Sequence, residues 1–419
     1  MKTNLIISEN YMGKPTCQVG KTTRIADIFT KQALDKSCVP LYLAFNYKFI
    51  LKDAKIKFEK LDRDIKILDP NTNTIINNQR VGVKRLGEIL ASTGTLVADR
   101  DEDYRNTGLV GLSNHHTLEK YNYPLSMLHN TSTKTPLYLD EYDPFEVGFK
   151  VFNINVSKRT GIKGAAAVNR SLAQYIKLGL FSEINLISAT NLGGVISTTN
   201  YDNIEAVQPG KGYTNNVQYF RLEQEDINKL KNGIETPRVK EFRTMLDHNL
   251  MVNINQRIET HTNIQNAFKR VEATVHVVNM RTEFDFRVLY NGKHIIIGGR
   301  MFGRGASFYG LQGLILDKPG SDLTTLIQAA GRIFGYKDYP IYIACTRQQE
   351  ETLKAAFEYE AQISDVSILK LPYQERREIV RKIIVPIRNM KILTKKNNGW
   401  KHWNTKLGTG IVYPFNAYA

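Results

Sequence analysis

Gln18-Val19-Gly20-Lys21-Thr22-Thr23 decides how the rest of this chain is read. Gly-Lys-Thr at the start of a helix is the ending of a phosphate-binding loop, in which backbone N–H groups at the helix N-terminus cradle an anion. Lys21 neutralises phosphate charge, and the Thr22 hydroxyl is placed to ligate Mg²⁺. Gln18, Gly20 and Thr23 complete the expected cradle. An apolar strand, Asn4 to Ser8, precedes the loop, and a helical stretch, Thr22 to Asp35, follows it. The full pattern has a glycine five positions before Gly20, where this chain has Pro15, and another two positions before it, where this chain has Gln18.

Further along, Pro136 to Leu139 reads as a buried strand ending in Asp140-Glu141. Both carboxylates then project from the carboxyl edge of a parallel sheet, where open α/β folds bind ligands. Phosphoryl transfer is mostly positioning and charge stabilisation. Asp140 is therefore expected to hold Mg²⁺, directly or through water, and Glu141 to orient and polarise the attacking water. Arg332, in Gln328-Ala329-Ala330-Gly331-Arg332, can stabilise charge on a γ-phosphate from a second domain. Arg304 lies in Gly303-Arg304-Gly305, just after the strand Ile295 to Ile297, and its flanking glycines let backbone approach a ligand closely.

The arrangement of apolar residues agrees with this reading. Val39 to Phe45, Thr95 to Ala98, Leu109 to Leu112 and Ile184 to Ile187 are short, near-continuous apolar runs. Such runs mark strands buried on both faces of a parallel sheet. Helical stretches such as Ala165 to Leu178 lie between them, which is the βαβ rhythm of an α/β fold. A polar stretch, Thr198 to Asn216, breaks the rhythm, and a charged connector, Glu223 to Lys240, follows. Strands then resume at Asn249 to Ile254, Thr274 to Val278, His294 to Gly298, Gly313 to Leu316 and Ile341 to Cys345. A boundary near 225–240 divides a first domain (1–225) from a second (240–365). A basic, aromatic extension (366–419) carries Arg376, Arg377, Arg381, Lys382, Trp400 and Trp403. Such a segment either tracks a phosphate backbone and stacks bases, or is an amphipathic helix with solvated charges.

The chain has 57 Lys and Arg against 41 Asp and Glu, a formal charge of +16, and this excess favours nucleic acid as partner. Cys17, Cys38 and Cys345 form no Cys-x-x-Cys pair, so free thiols are expected rather than a zinc site or disulfides. His115-His116 has no third ligand at metal spacing and reads as a polar loop. No apolar run approaches the roughly 18 residues that span a bilayer, and no membrane association is expected. The expected location is the cytoplasm, or the host cytoplasm for a viral chain.

Taken in order, these motifs resemble those of superfamily 2 helicases, the DEAD/DEAH-like ATPases. Gln18 to Thr22 resembles motif I, Asp140 to Asp143 motif II, and Ser188-Ala189-Thr190 motif III. Gly303 to Gly305 resembles motif V and Gln328 to Gly335 motif VI. Gly331 to Lys337 is more similar to divergent phage or mobile-element members. The resemblance implies two tandem RecA-like domains, each a parallel β-sheet flanked by helices, with ATP and Mg²⁺ in the cleft between them. It implies nucleotide contacts from Arg304 and Gln328, and nucleic-acid contacts from Asn46, Ser188 and Thr190. The family's second motif VI arginine is Gly335 here, which leaves Arg332 as the finger with Lys337 as substitute.

The leading expectation is a nucleic-acid-dependent ATPase, a DNA helicase or translocase in replication, recombination or repair, with DNA favoured over RNA. One alternative is the motor subunit of a restriction, packaging or nuclease complex, working with a replication or nuclease partner protein. Another is a degenerate helicase that binds nucleic acid without turnover.

Overall fold

The computed structural model describes residues 2–34, 40–44, 57, 65–68, 74–76, 79–81, 108–114, 135–140, 181–188, 200–254, 258–278, 284–299, 308–319, 321, 323–382, 391–393 and 403–404. The expected strand at 95–98 and the expected helix at 165–178 lie outside these residues.

In chain order the strands begin with β1 (Lys2–Ser8), β2 (Leu41–Ala44) and β3 (Ile65–Leu68). A small antiparallel hairpin follows, β4 (Thr74–Ile76) and β5 (Gln79–Val81). Then come β6 (Gly108–Asn114), β7 (Thr135–Asp140), β8 (Phe181–Ile187) and β9 (Asn203–Val207). The first sheet has the order β3-β6-β2-β7-β8-β1-β9 among the described strands. Every described pairing in it is parallel. Its centre is apolar because strands covered on both faces have no wet side: Leu5, Ile7, Leu137, Leu139, Ile184 and Leu186 are fully buried. Ile187 lies opposite both Ile6 of β1 and Asp140 of β7. The carboxyl ends of these three strands therefore open on one sheet edge, and Ser8, Asp140 and Ser188 stand there together.

After β10 (Tyr213–Thr214) the second sheet starts with β11 (Val217–Arg221) and continues with β12 (Asn249–Ile254), β13 (Thr274–Val277), β14 (His294–Gly298) and β15 (Leu311–Asp317). The two-residue strand β16 (Gly335–Tyr336) pairs antiparallel with β10, and β17 (Ile341–Cys345) completes the second sheet. The order is β11-β17-β15-β12-β14-β13, again parallel. The described strands thus form two parallel sheets in tandem, as the α/β expectation has it.

Two parts of the sequence expectation are corrected. The polar stretch at 198–216 contains β9, which pairs with β1 from Asn4↔Asn203 to Ser8↔Val207. It is an edge strand in which only Val207 is buried, so its composition stays polar. The charged connector at 223–240 is helical. After α1 (Lys21–Leu34) the next described helices are α2 (Gln224–Lys231) and α3 (Pro237–Thr244). Ile227 and Leu230 of α2 and Val239 and Phe242 of α3 are fully buried in the second core. An i, i+3 pair on each short helix is enough to bury it, and the charges occupy the outer face. Thr236 caps α3, its hydroxyl accepting from the Val239 N–H at 3.3 Å, and Pro237 opens the helix. Because β11 already belongs to the second sheet, the chain changes sheets within 208–216, ahead of the expected boundary.

The later helices are α4 (Ile258–Ala267), α5 (Leu323–Ala330), α6 (Arg347–Ile363), α7 (Val366–Lys370) and α8 (Tyr373–Lys382). The short α7 packs beside β9, so the chain returns to the first sheet after completing the second. Arg376 of α8 is fully buried, against the expectation of a solvated or phosphate-tracking charge. Its guanidinium lies 5.3 Å from the Tyr201 ring centre and donates to the Leu369 carbonyl at 3.0 Å. Among the described residues no helix is long and apolar enough to cross a membrane.

Candidate functional site

The gap between β1 and Gln18–Thr23 is taken up by a tight turn. Tyr11 and Lys14 exchange backbone hydrogen bonds at 3.0 and 3.1 Å, with Met12 and Gly13 both at positive φ. This is the geometry of a two-residue reversal. The Thr16 hydroxyl donates to the Glu9 carbonyl at 2.6 Å and ties the return strand back. Cys17 is then held from the second half of the chain. Its N–H donates to the Tyr213 hydroxyl at 3.0 Å, and that hydroxyl donates to the Cys17 carbonyl at 2.6 Å. Burial raises the Tyr213 pKa, so the phenol stays protonated and keeps its donor.

Gly20 adopts φ +91, which a side chain would resist, and its amide chain runs directly into α1. The Arg24 N–H bonds to the Gly20 carbonyl at 2.9 Å, which closes the first helical turn. The first turn of α1 holds no acidic residue, so the positive end of the helix dipole is not cancelled there. The Lys21 ammonium donates to the Ser8 hydroxyl at the end of β1. The Asp140 carboxylate, at the end of β7, accepts from the Tyr42 hydroxyl of β2.

Residues of both sheets line one cavity of about 360 Å³. Gln18 to Thr23 and Asp140 come from the first, and Arg332 and Lys337 from the second. Arg332 sits in a 3₁₀ turn, Gly331–Ile333, directly after α5, and is only 5% exposed. Its Nε donates to the Gln328 carbonyl at 3.1 Å, which fixes the start of the side chain. Lys57 also reaches the cavity, giving Lys21, Lys57, Arg332 and Lys337 against the Asp140 carboxylate among the described lining. Such an excess of cation suits a polyanion. Phe308, Tyr309 and Tyr339 form an aromatic flank, with Tyr339 stacked on His248 at 4.0 Å. Desolvation pushes the Lys337 pKa down to about 7. Its ammonium donates to the Leu311 carbonyl.

Not every expected site residue falls in this cavity. Glu141, Asn46, Thr190 and Arg304 lie outside the described residues. Gln328 is fully buried in α5 and meets the site through its carbonyl, the acceptor for Arg332. Ser188 is buried at the end of β8, its N–H donating to the Ile6 carbonyl at 3.0 Å. Sequence reasoning missed Ser8, Tyr42, Tyr213 and the aromatic flank. None belongs to a motif, and only chain crossing brings them near the loop.

No family model and no curated protein sequence matches the chain. Solved structures do. The DExH-box NTPase HrpB of E. coli aligns with a TM-score of 0.44 and 11% identity, over 84% of this chain and 40% of that one. The NS3-like helicase from Alongshan virus aligns with a TM-score of 0.44 and 11% identity, over 88% of this chain and 83% of that one. The fold is α/β with two parallel sheets. The chain spans 40% of the length of HrpB.

Proposed function

We propose that this chain is a nucleoside-triphosphate-hydrolysing motor that acts on nucleic acid, with ATP and Mg²⁺ as cofactors and DNA as the favoured track. The observation that carries the reading is the single cavity into which Gly20, Lys21, Thr22, Asp140 and Arg332 converge from two parallel sheets. Its donor set fits a Mg²⁺–triphosphate: a helix N-terminus, an ammonium, a hydroxyl, a carboxylate and a guanidinium. Bound Mg²⁺ would neutralise phosphate oxygens and polarise the bond that breaks.

The protein's own part is positioning. The amides at the start of α1 and the Lys21 ammonium hold the phosphates, with Lys21 exchanging its Ser8 partner for a phosphate oxygen. Thr22 and Asp140 would supply the oxygen ligands for the metal, and the Tyr42 hydroxyl fixes the Asp140 carboxylate. Glu141, the residue after Asp140, orients the attacking water. Arg332 meets the charge that develops on the terminal phosphate. Because it stands on the second sheet, its contribution depends on how the two halves sit, and this couples hydrolysis to a track lying across both.

The test is steady-state NTP hydrolysis with and without single-stranded DNA, duplex DNA and RNA, beside Lys21→Ala and Glu141→Gln. Turnover should rise with one polymer and drop by about 100-fold or more in each variant. Tight polymer binding with no turnover in any condition would sink the motor reading in favour of a binding protein.

A further inference from the structure

Gln18 occupies a position where the phosphate-loop pattern has glycine, and its backbone conformation is one that favours glycine. Its φ is +59, in the left-handed region that non-glycine residues seldom enter. Such outliers persist where the surroundings over-determine them, and they cluster at functional sites. The side chain accounts for this one. Its Nε2 donates to the Gly331 carbonyl at 3.2 Å and to the Arg332 carbonyl at 2.7 Å. Both acceptors belong to the 3₁₀ turn of the second domain that carries Arg332.

The neighbouring packing is shaped to the same contact. Cys17 lies so close to Gly331 that an added Cβ would meet its Sγ at 2.4 Å. Gly335 turns the chain past Gln18 at φ +134, where a Cβ would come within 4.0 Å of the Gln18 Cβ. The bare Gly331 thus lets Cys17, the neighbour of Gln18 in the chain, pack against the same turn. The contact needs a donor of this length at position 18: two carbonyls face it, so an ionised Glu would repel them and Met would leave them without it.

We propose that Gln18 is a positioning residue that fastens the phosphate loop to the Arg332 turn, so that closure of the cleft and placement of the arginine are set by one amide. The proposal rests on the NTPase reading for its kinetic consequence, while the fastening itself is independent of turnover. Gln18 lines the cavity, and the positioning role proposed for its side-chain amide is exercised through Arg332.

The test compares Gln18→Gly, Gln18→Met and Gln18→Glu with the parent chain in three measurements. These are kcat and KM for NTP hydrolysis, affinity for a fluorescent non-hydrolysable NTP analogue, and the distance distribution between labels at exposed Asp27 and Lys269. The labels enter through unnatural amino acids and report on one domain each. All three variants should lose about 10- to 100-fold in kcat, with analogue affinity within about threefold of the parent, since bound phosphates still meet Lys21 and α1. The label distances should broaden, most in Gln18→Glu. Gln18→Gly is the most telling, because it restores the loop's usual residue and still removes the fastening. Parent-like kcat and distances in Gln18→Gly would overturn the proposal. So would equal losses of kcat and affinity together with a fallen melting temperature in all three, which would mark a purely structural residue. If the parent shows no turnover, the NTPase reading fails separately. The distances then decide: broadening in Gln18→Glu supports the fastening, and unchanged distances overturn it.

Discussion

Gly331 shows how tightly the two halves approach at single residues. An alanine methyl there would collide with Cys17, whose Cβ and Sγ would lie 2.6 and 2.4 Å away. Gly331→Ala is expected to destabilise the closed arrangement by about 1–3 kcal/mol through overpacking, read as a lowered melting temperature. Cys17→Gly in the same chain should recover part of the loss, and no recovery would locate the strain elsewhere. Lys337 makes a second prediction. Its folded pKa is depressed to about 7 by desolvation, so the free protein loses this charge as pH rises through 7. Lys21, Lys57 and Arg332 line the same cavity. Binding a polyanion restores the charge and takes up a proton. Nucleotide affinity should therefore weaken above pH 7, by up to about tenfold per pH unit. Lys337→Arg stays charged and should flatten that profile in a binding titration. An unchanged slope would remove Lys337 from the phosphate site.

At the scale of elements, strands buried on both faces were the most legible. Continuous apolar runs mark β1, β7, β8, β12, β14, β15 and β17 because no solvent face interrupts them. Edge and peripheral elements were not legible by the same logic. Strand β9 buries only Val207, and α2 and α3 each bury an i, i+3 pair amid charges. The basic segment after Asp365 looked uniform in sequence, yet α8 directs Arg376 into a fully buried place over Tyr201. A buried guanidinium that stacks on an aromatic ring and donates to a carbonyl holds its helix in place. Arg376→Ala should cost about 2–4 kcal/mol, measured by denaturant unfolding. An effect below about 0.5 kcal/mol, the usual size for a surface change, would contradict the burial of this residue.

For the whole molecule, the +16 charge and the paired sheets give a prediction that needs no single residue. Binding of a single-stranded oligonucleotide, followed by fluorescence anisotropy, should weaken by about tenfold or more between roughly 50 and 200 mM salt as counterions are released. A flat salt profile would deny the polyanionic track. The sequence by itself determined the α/β class and proposed a chemistry for the loop, because buried strands and Gly-Lys-Thr are local patterns that a linear reading detects. It also put Lys21, Asp140 and Arg332 forward as parts of one site. Only the tertiary structure decided that they meet in one cavity, that Tyr213 and Gln18 tie the loop to the second half, and that the chain changes sheets within 208–216. The physical reason is separation along the chain. The Gln18 amide donates to the carbonyls of Gly331 and Arg332 across hundreds of residues, and no local propensity encodes a contact that exists only after both sheets have formed.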